Sequence, residues 1–134
     1  MNSLPLLMGT ADGLFICERD GSQWYKTLEG EIVTSVIARE GVILAGTETG
    51  VYRSDDLGRS WFACNQGLPH LQIVWLAFHP DVSDLELVGV ATGEVFVSRD
   101  GAESWHPIAA DADLAWREAL GAAAPITAVT TMYP

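Results

Sequence analysis

Three stretches of the chain superimpose on one another: MGTADGLFICERDGSQW (Met8 to Trp24), AGTETGVYRSDDLGRSW (Ala45 to Trp61) and VGVATGEVFVSRDGAESW (Val88 to Trp105), the last with one inserted residue, Glu94. Gly9, Gly46 and Gly89 coincide, as do Gly13, Gly50 and Gly93, and then Phe15, Tyr52 and Phe96. The spacing from Cys17 to Trp24 is the same as from Ser54 to Trp61 and from Ser98 to Trp105. A repeat of this regularity implies one supersecondary unit used several times, each copy burying its apolar face against a neighbour.

The steps from Trp24 to Trp61 and on to Trp105 lie near the roughly 40 to 45 residues of a four-stranded propeller blade. Local patterns agree. In the second unit VTSVIA, VILAG, GVYRS and SWFAC are short, rich in β-branched and aromatic residues, and punctuated by Gly and Asp. The third unit reads IVWLAFHP, LELVGV, EVFVS and SWHPI, whereas the first begins at what should be its second strand, LPLLMG. An innermost strand is therefore missing there. ITAVTTMYP at the C-terminus parallels QIVWLAFHP, and the step from Pro80 to Gly89 equals that from Pro134 through Met1 to Gly9.

The expected fold is all-β, a β-propeller domain over 1–134 with three four-stranded blades. They are blade 1 (1–27 plus the C-terminal strand 126–132), blade 2 (32–65) and blade 3 (72–108). Between them and the last strand lies an insert, 109–125, in which ADADLAWREALG predicts a short helix near 112–120, capped by Asp111 or Asp113 and ended by Gly121.

Composition narrows the partners. The 134 residues are 49% hydrophobic and carry Lys+Arg 7 against Asp+Glu 18, a formal charge of -11. Such a charge repels phosphate backbones and anionic lipid, so neither nucleic acid nor membrane is expected. MNSLPLLMGTADG has no basic segment and too short an apolar run for a signal peptide, so a cytoplasmic location is expected. Cys17 and Cys64 have no metal-motif spacing and are read as buried, reduced thiols.

SDDLGRSW and SRDGAESW resemble the Asp-box of bacterial neuraminidase (BNR) repeats, Ser/Thr-x-Asp-x-Gly-x-Thr/Ser-Trp. The first fits fully with Ser54, Asp56, Gly58, Ser60 and Trp61. In the second, Ser98, Asp100, Ser104 and Trp105 fit, but Gly101 comes one place early and Ala102 holds the glycine position. CERDGSQW keeps Gly21 and Trp24 while Cys17 and Arg19 replace the serine and aspartate. The resemblance implies an Asp-box propeller similar in architecture to sialidases, sortilin-type receptors and photosystem II assembly factors, with the box a structural hairpin on the face opposite the ligand site. Calcium binding through Asp55 and Asp56 is the alternative, although the loop has no distal Glu. No metal or cofactor is expected.

Three blades are fewer than the about four to eight that surround a channel. A head-to-tail homodimer, the ITAVTTM strand of each chain pairing with LPLLMG of the other, would make six; closure of three blades within one chain is the alternative. The ligand face would carry Thr10, Asp12, Thr47, Glu48, Thr49, His70, Thr92 and Glu94, with Trp75 and Trp116 as residues that stack on a sugar, anchor a partner or fill the core.

Sialidase chemistry, as the resemblance implies it, needs an arginine cluster, yet Arg19, Arg53, Arg59 and Arg99 fall in or beside the box turns. Asp12, Glu48 and Glu94 leave general glycoside hydrolysis open. His70 and His79 have no ligand partner at metal spacing. The expectation is a non-enzymatic propeller that binds protein or peptide as a scaffold. A carbohydrate-binding or glycoside-hydrolase-like propeller is the alternative.

Overall fold

A computed structural model describes residues 5–18, 20–79, 82 and 84–108. The expected helix 112–120, the rest of the insert with Trp116, and the strand 126–132 lie outside the described residues. Within them the chain forms strands only: β1 (Leu6–Thr10), β2 (Gly13–Cys17), β3 (Trp24–Thr27), β4 (Val33–Arg39), β5 (Val42–Thr47), β6 (Gly50–Ser54), β7 (Phe62–Ala63), β8 (Ile73–Phe78), β9 (Glu86–Val90), β10 (Val95–Ser98) and β11 (His106–Pro107). No helix among the described residues is long and apolar enough to cross a membrane.

The strands make three antiparallel sheets, each from consecutive strands: β1-β2-β3, β4-β5-β6-β7 and β8-β9-β10-β11. Short hairpins favour this order, because a tight turn can join only antiparallel neighbours. Among the described residues the first sheet has three strands and the others four, so β1 stands there at an edge where β4 and β8 lie inside β5 and β9. Period-two alternation then gives every sheet two faces.

Leu14, Ile16, Val33 and Ile43 form the core between the first and second sheets, with Leu7, Val36 and Trp61 packed against them. Between the second and third lie Leu44, Val51, Ile73, Leu76, Val88 and Phe96. The alternate residues of the third sheet, Leu87, Val95 and Val97, gather with Trp75 on its far face.

The repeated glycines permit this stacking. A methyl group on Gly9 would come within 2.6 Å of Val33 Cγ1, and one on Gly46 equally close to Ile73 Cγ2. Each glycine thus faces the innermost strand of the following sheet. On the third sheet the space over Gly89 is taken by the indole of Trp75, from the paired strand β8. A bulge at Thr34 in β4 turns its hydroxyl toward two carbonyls, Gly46 at 3.1 Å and Ile73 of the next sheet at 2.6 Å.

The turns before the aligned tryptophans explain the displaced glycine of the third repeat. Leu57 and Gly58 have φ of 59° and 81°, and Gly101 and Ala102 have 72° and 73°. Both positions are left-handed, so a glycine relieves one of them in either place. Those turns aim Trp61 and Trp105 at the preceding sheet. Trp61 Nε1 donates to Thr27 Oγ1 at 2.7 Å, and Trp105 Nε1 to the Cys64 carbonyl at 2.9 Å. Trp24, with no described sheet before it, is 63% exposed and packs its ring on Phe15 at 5.4 Å. For the same reason Cys17, expected to be buried, is half-buried; Cys64 is buried, and both thiols are free.

Replacing Trp105 by Phe keeps an aromatic ring but strands the buried Cys64 carbonyl. That loss costs about 1–3 kcal/mol, whereas Trp24→Phe costs less than about 0.5 kcal/mol, as for a surface substitution. Urea unfolding of dilute protein followed by circular dichroism checks both; equal losses would contradict the packing described.

Candidate functional site

The face chosen from sequence is made by the β1–β2, β5–β6 and β9–β10 turns. Their threonines build the turns themselves. Thr10 Oγ1 donates to the Gly13 carbonyl at 2.9 Å and accepts the Asp12 N–H at 3.0 Å. Thr47 repeats this, donating to Gly50 O at 2.9 Å and accepting the Thr49 N–H at 3.0 Å. Small hydroxyl side chains favour such local bonds, which hold the chain in a tight reversal.

The acidic residues are engaged nearby. Asp12 takes Lys26 Nζ at 2.5 Å and the Gly30 N–H at 3.0 Å. These hold its pKa below the usual carboxylate value, the Lys26 bond first and the Gly30 amide next. Thr49 Oγ1 donates to Glu31 Oε2 at 2.6 Å. Glu94 accepts from Thr92 at 2.9 Å, with His70 Nε2 at 3.9 Å from the same oxygen. Glu48 is exposed. Trp75 is buried, 5% exposed, in the apolar cluster of the third sheet.

On the opposite face the two serine–aspartate turns have matching bonds. Ser54 Oγ donates to Asp56 Oδ1 at 2.8 Å and accepts the Gly58 N–H at 2.8 Å, while Asp56 takes the Ser60 N–H at 2.9 Å and its hydroxyl at 2.5 Å. Ser98, Asp100, Ala102 and Ser104 repeat the pattern at 2.8, 2.9, 2.9 and 2.5 Å. The Ser60 hydroxyl and amide, then Ser54, lower the Asp56 pKa to about 2. Burial pushes Asp100 up, but the Ser104 and Ser98 bonds prevail and lower it. Both carboxylates spend their oxygens on their own turns. Among the described residues no group of three or more His, Cys, Asp and Glu could hold a metal ion.

A further titratable group lies between the second and third sheets. Glu86 is 2% exposed and lines a cavity of about 80 Å³ with Arg39, Arg53 and Asp84. Both arginines are directed elsewhere: Arg53 Nη1 donates to the Gly101 carbonyl at 2.5 Å and its Nε to Asp55 at 2.8 Å, and Arg39 Nη1 donates to His79 O at 2.6 Å. Glu86 Oε1 has no hydrogen-bond partner among the described residues. Burial above all, then the Asp84 charge, pushes the Glu86 carboxyl up to about 7, against the opposing pull of Arg39 and Arg53. The sequence carried a signal here: Glu86 stands where the other repeats have Leu6 and Ile43, both apolar.

Because the folded chain holds the Glu86 proton more tightly than the unfolded chain, stability falls as pH rises from about 4.5 through about 7. The loss attributable to this group reaches ~3 kcal/mol. Urea midpoints between pH 5 and 8 check it: Glu86→Gln flattens the slope, and Glu86→Leu raises the midpoint at pH 8. A slope unchanged in both variants would rule this group out.

No protein-family model matches the sequence, and no curated protein does. Solved structures do. A structure titled "YCF48 bound to D1 peptide" superimposes with a TM-score of 0.62 at 14% identity over 80% of this chain and 38% of that one. An ancestral GH74 enzyme gives 0.64 at 18% identity over 84% of this chain and 18% of its own. The GH74 xyloglucanase from Xanthomonas campestris gives 0.56 at 18% over 80% and 22%. The chain therefore spans well under two thirds of the length of these structures. At such identities the likeness is one of fold: an all-β, propeller-type stack of sheets.

Proposed function

We propose that this chain is a binding and scaffold module of the propeller type, acting on protein or peptide partners, and that it assembles head to tail with a second copy. One observation carries this reading. The first sheet has three strands where its neighbours have four, and β1 has no second strand beside it among the described residues. An open edge of this kind accepts an added strand, whose backbone supplies hydrogen bonds and whose alternate side chains supply specificity.

The segment 126–132, which takes the place of β8 when Pro134 is aligned with Pro80, is the strand proposed to fill it, donated by the other copy. YCF48, one of the structures with this fold, was solved bound to a peptide, which supports a peptide-binding use of the architecture. Binding is favoured over hydrolysis because Asp12 and Glu94 are engaged by neighbouring protein groups, Lys26 and Gly30 in one case and Thr92 and His70 in the other. Free thiols at Cys17 and Cys64 accord with a reducing, cytoplasmic setting.

Size exclusion with light scattering tests the assembly: twice the 14.4 kDa chain mass is expected, with reversion toward the monomer on adding a synthetic peptide of residues 126–134. A monomer mass at every concentration would sink the paired reading. Glycan-array binding and a general glycosidase screen are expected to be blank; turnover of a polysaccharide would replace the binding module with a hydrolase.

A further inference from the structure

The two gaps between adjacent sheets each hold a cavity, and the cavities stand at the same place in the repeat. The one between the second and third sheets measures about 80 Å³, with Leu44, Glu86 and Gly101 in its wall. The one between the first and second measures about 450 Å³, with Leu7, Ile43 and Leu57 in its wall. Leu7, Ile43 and Leu57 occupy the repeat positions of Leu44, Glu86 and Gly101. One cavity is thus met twice, small in one gap and large in the other.

Arg39, the last residue of β4, accounts for the difference. It reaches across to the third sheet, where its guanidinium lies over the Phe78 ring at 4.5 Å and donates from Nη1 to the His79 carbonyl at 2.6 Å. Among the described residues the first sheet has no strand at the β4 position, so the larger cavity receives no such side chain. Ala38, which pairs with Ile43 as Phe78 pairs with Glu86, is accordingly exposed where Phe78 is half-buried. A methyl group on Gly41, at the same cavity, would meet no atom within 4 Å. The end of the chain supplies the missing position: with Pro134 aligned to Pro80, Tyr133 matches His79, and the same pairings match His79 with Arg39.

We propose that the cavity between the first and second sheets is a receptor pocket for an aromatic side chain, and that its occupant is Tyr133 of a second copy, carried in by the strand 126–132 as that strand pairs with β1. The chemistry of each cavity agrees with its occupant. Asp84 and Glu86 line the one that Arg39 enters, and their repeat counterparts in the larger one, Gly41 and Ile43, carry no charge. A tyrosine presents an apolar ring and one polar tip, which suits walls of Leu7, Ile43 and Leu57 with Arg39 and Glu40 beside them. This inference rests on the head-to-tail reading and adds the side chain that sets the register of the strand pairing proposed there. A bare edge does not by itself fix which residues pair, whereas a slip of one residue would turn Tyr133 to the opposite face and empty the pocket.

The chain has three tyrosines, Tyr25, Tyr52 and Tyr133, so fluorotyrosine incorporated throughout gives three fluorine resonances, and Tyr133→Phe identifies the one that matters. Spectra of the full chain are followed over a dilution series alongside the light-scattering mass. The Tyr133 resonance is expected to shift between dimer and monomer. Dimerisation is expected to weaken at least about tenfold for Tyr133→Ala and for Ala38→Trp, which fills the cavity from an exposed position, while Tyr133→Phe stays within about threefold of the wild type. Both weakened variants should keep the wild-type urea midpoint at monomeric dilution. A Tyr133→Ala chain that dimerises as tightly as the wild type would overturn the pocket while leaving the strand pairing standing. A Tyr133 resonance that keeps its dimer position in the dilute monomer would place the ring in its own chain and overturn the second copy as occupant, and a monomer at every concentration would remove both readings.

Discussion

An indole N–H handed back to the preceding sheet is the contact on which the rest of this stack depends. Trp61 reaches Thr27 and Trp105 reaches the Cys64 carbonyl, each from the residue just before the last strand of its own sheet. For the ring to arrive there, the turn before it must have one shape. Ser54 and Asp56, or Ser98 and Asp100, impose that shape by consuming the free amides of the loop. Local polar chemistry therefore controls long-range apolar packing. The carboxylates matter to the fold through the tryptophans they position.

Among the described residues the main contacts between sheets join neighbours, β1 with β4 and then β4 and β5 with β8, so stability accumulates interface by interface. The close approach at Gly9 and Gly46 is the second condition. A side chain there would hold the next sheet off and loosen the cores around Ile43 and Leu44 together. Glu86 tests the same interface from the polar side. It occupies a position that is aliphatic in the neighbouring repeats, and its orphan oxygen together with two arginines committed to carbonyls makes this the seam most responsive to pH.

Much of this was legible in the sequence because a repeat states its own alignment. Strand order, the short first sheet and the tryptophan turns all follow from matching Met8–Trp24 with its later copies. The displaced glycine at 101 looked like a departure from the pattern, yet Leu57 and Ala102 show that two adjacent left-handed positions make the shift harmless. The candidate face was less legible. Thr10, Thr47 and Asp12 are the residue types that line ligand sites, and they are also the types that close turns; only the hydrogen bonds to Gly13, Gly50 and Gly30 tell which role each side chain takes. Trp75 was hidden for another reason. Its ring fills the space over Gly89 that a β-branched residue of the following sheet fills over Gly9 and Gly46, and a single-sheet pattern cannot register a substitution between sheets.

That substitution exposes an asymmetry between the two ends of the stack. At the third sheet the far-face side chains Trp75, Leu87, Val95 and Val97 are buried together. At the first, Leu6, Met8 and Trp24 are exposed, and β1 has no second neighbouring strand among the described residues. An edge alone would invite indiscriminate strand addition. A face alone would invite nonspecific apolar contact. Leu6 and Met8 stand on β1 itself, so among the described residues the edge and the exposed side chains belong to one strand.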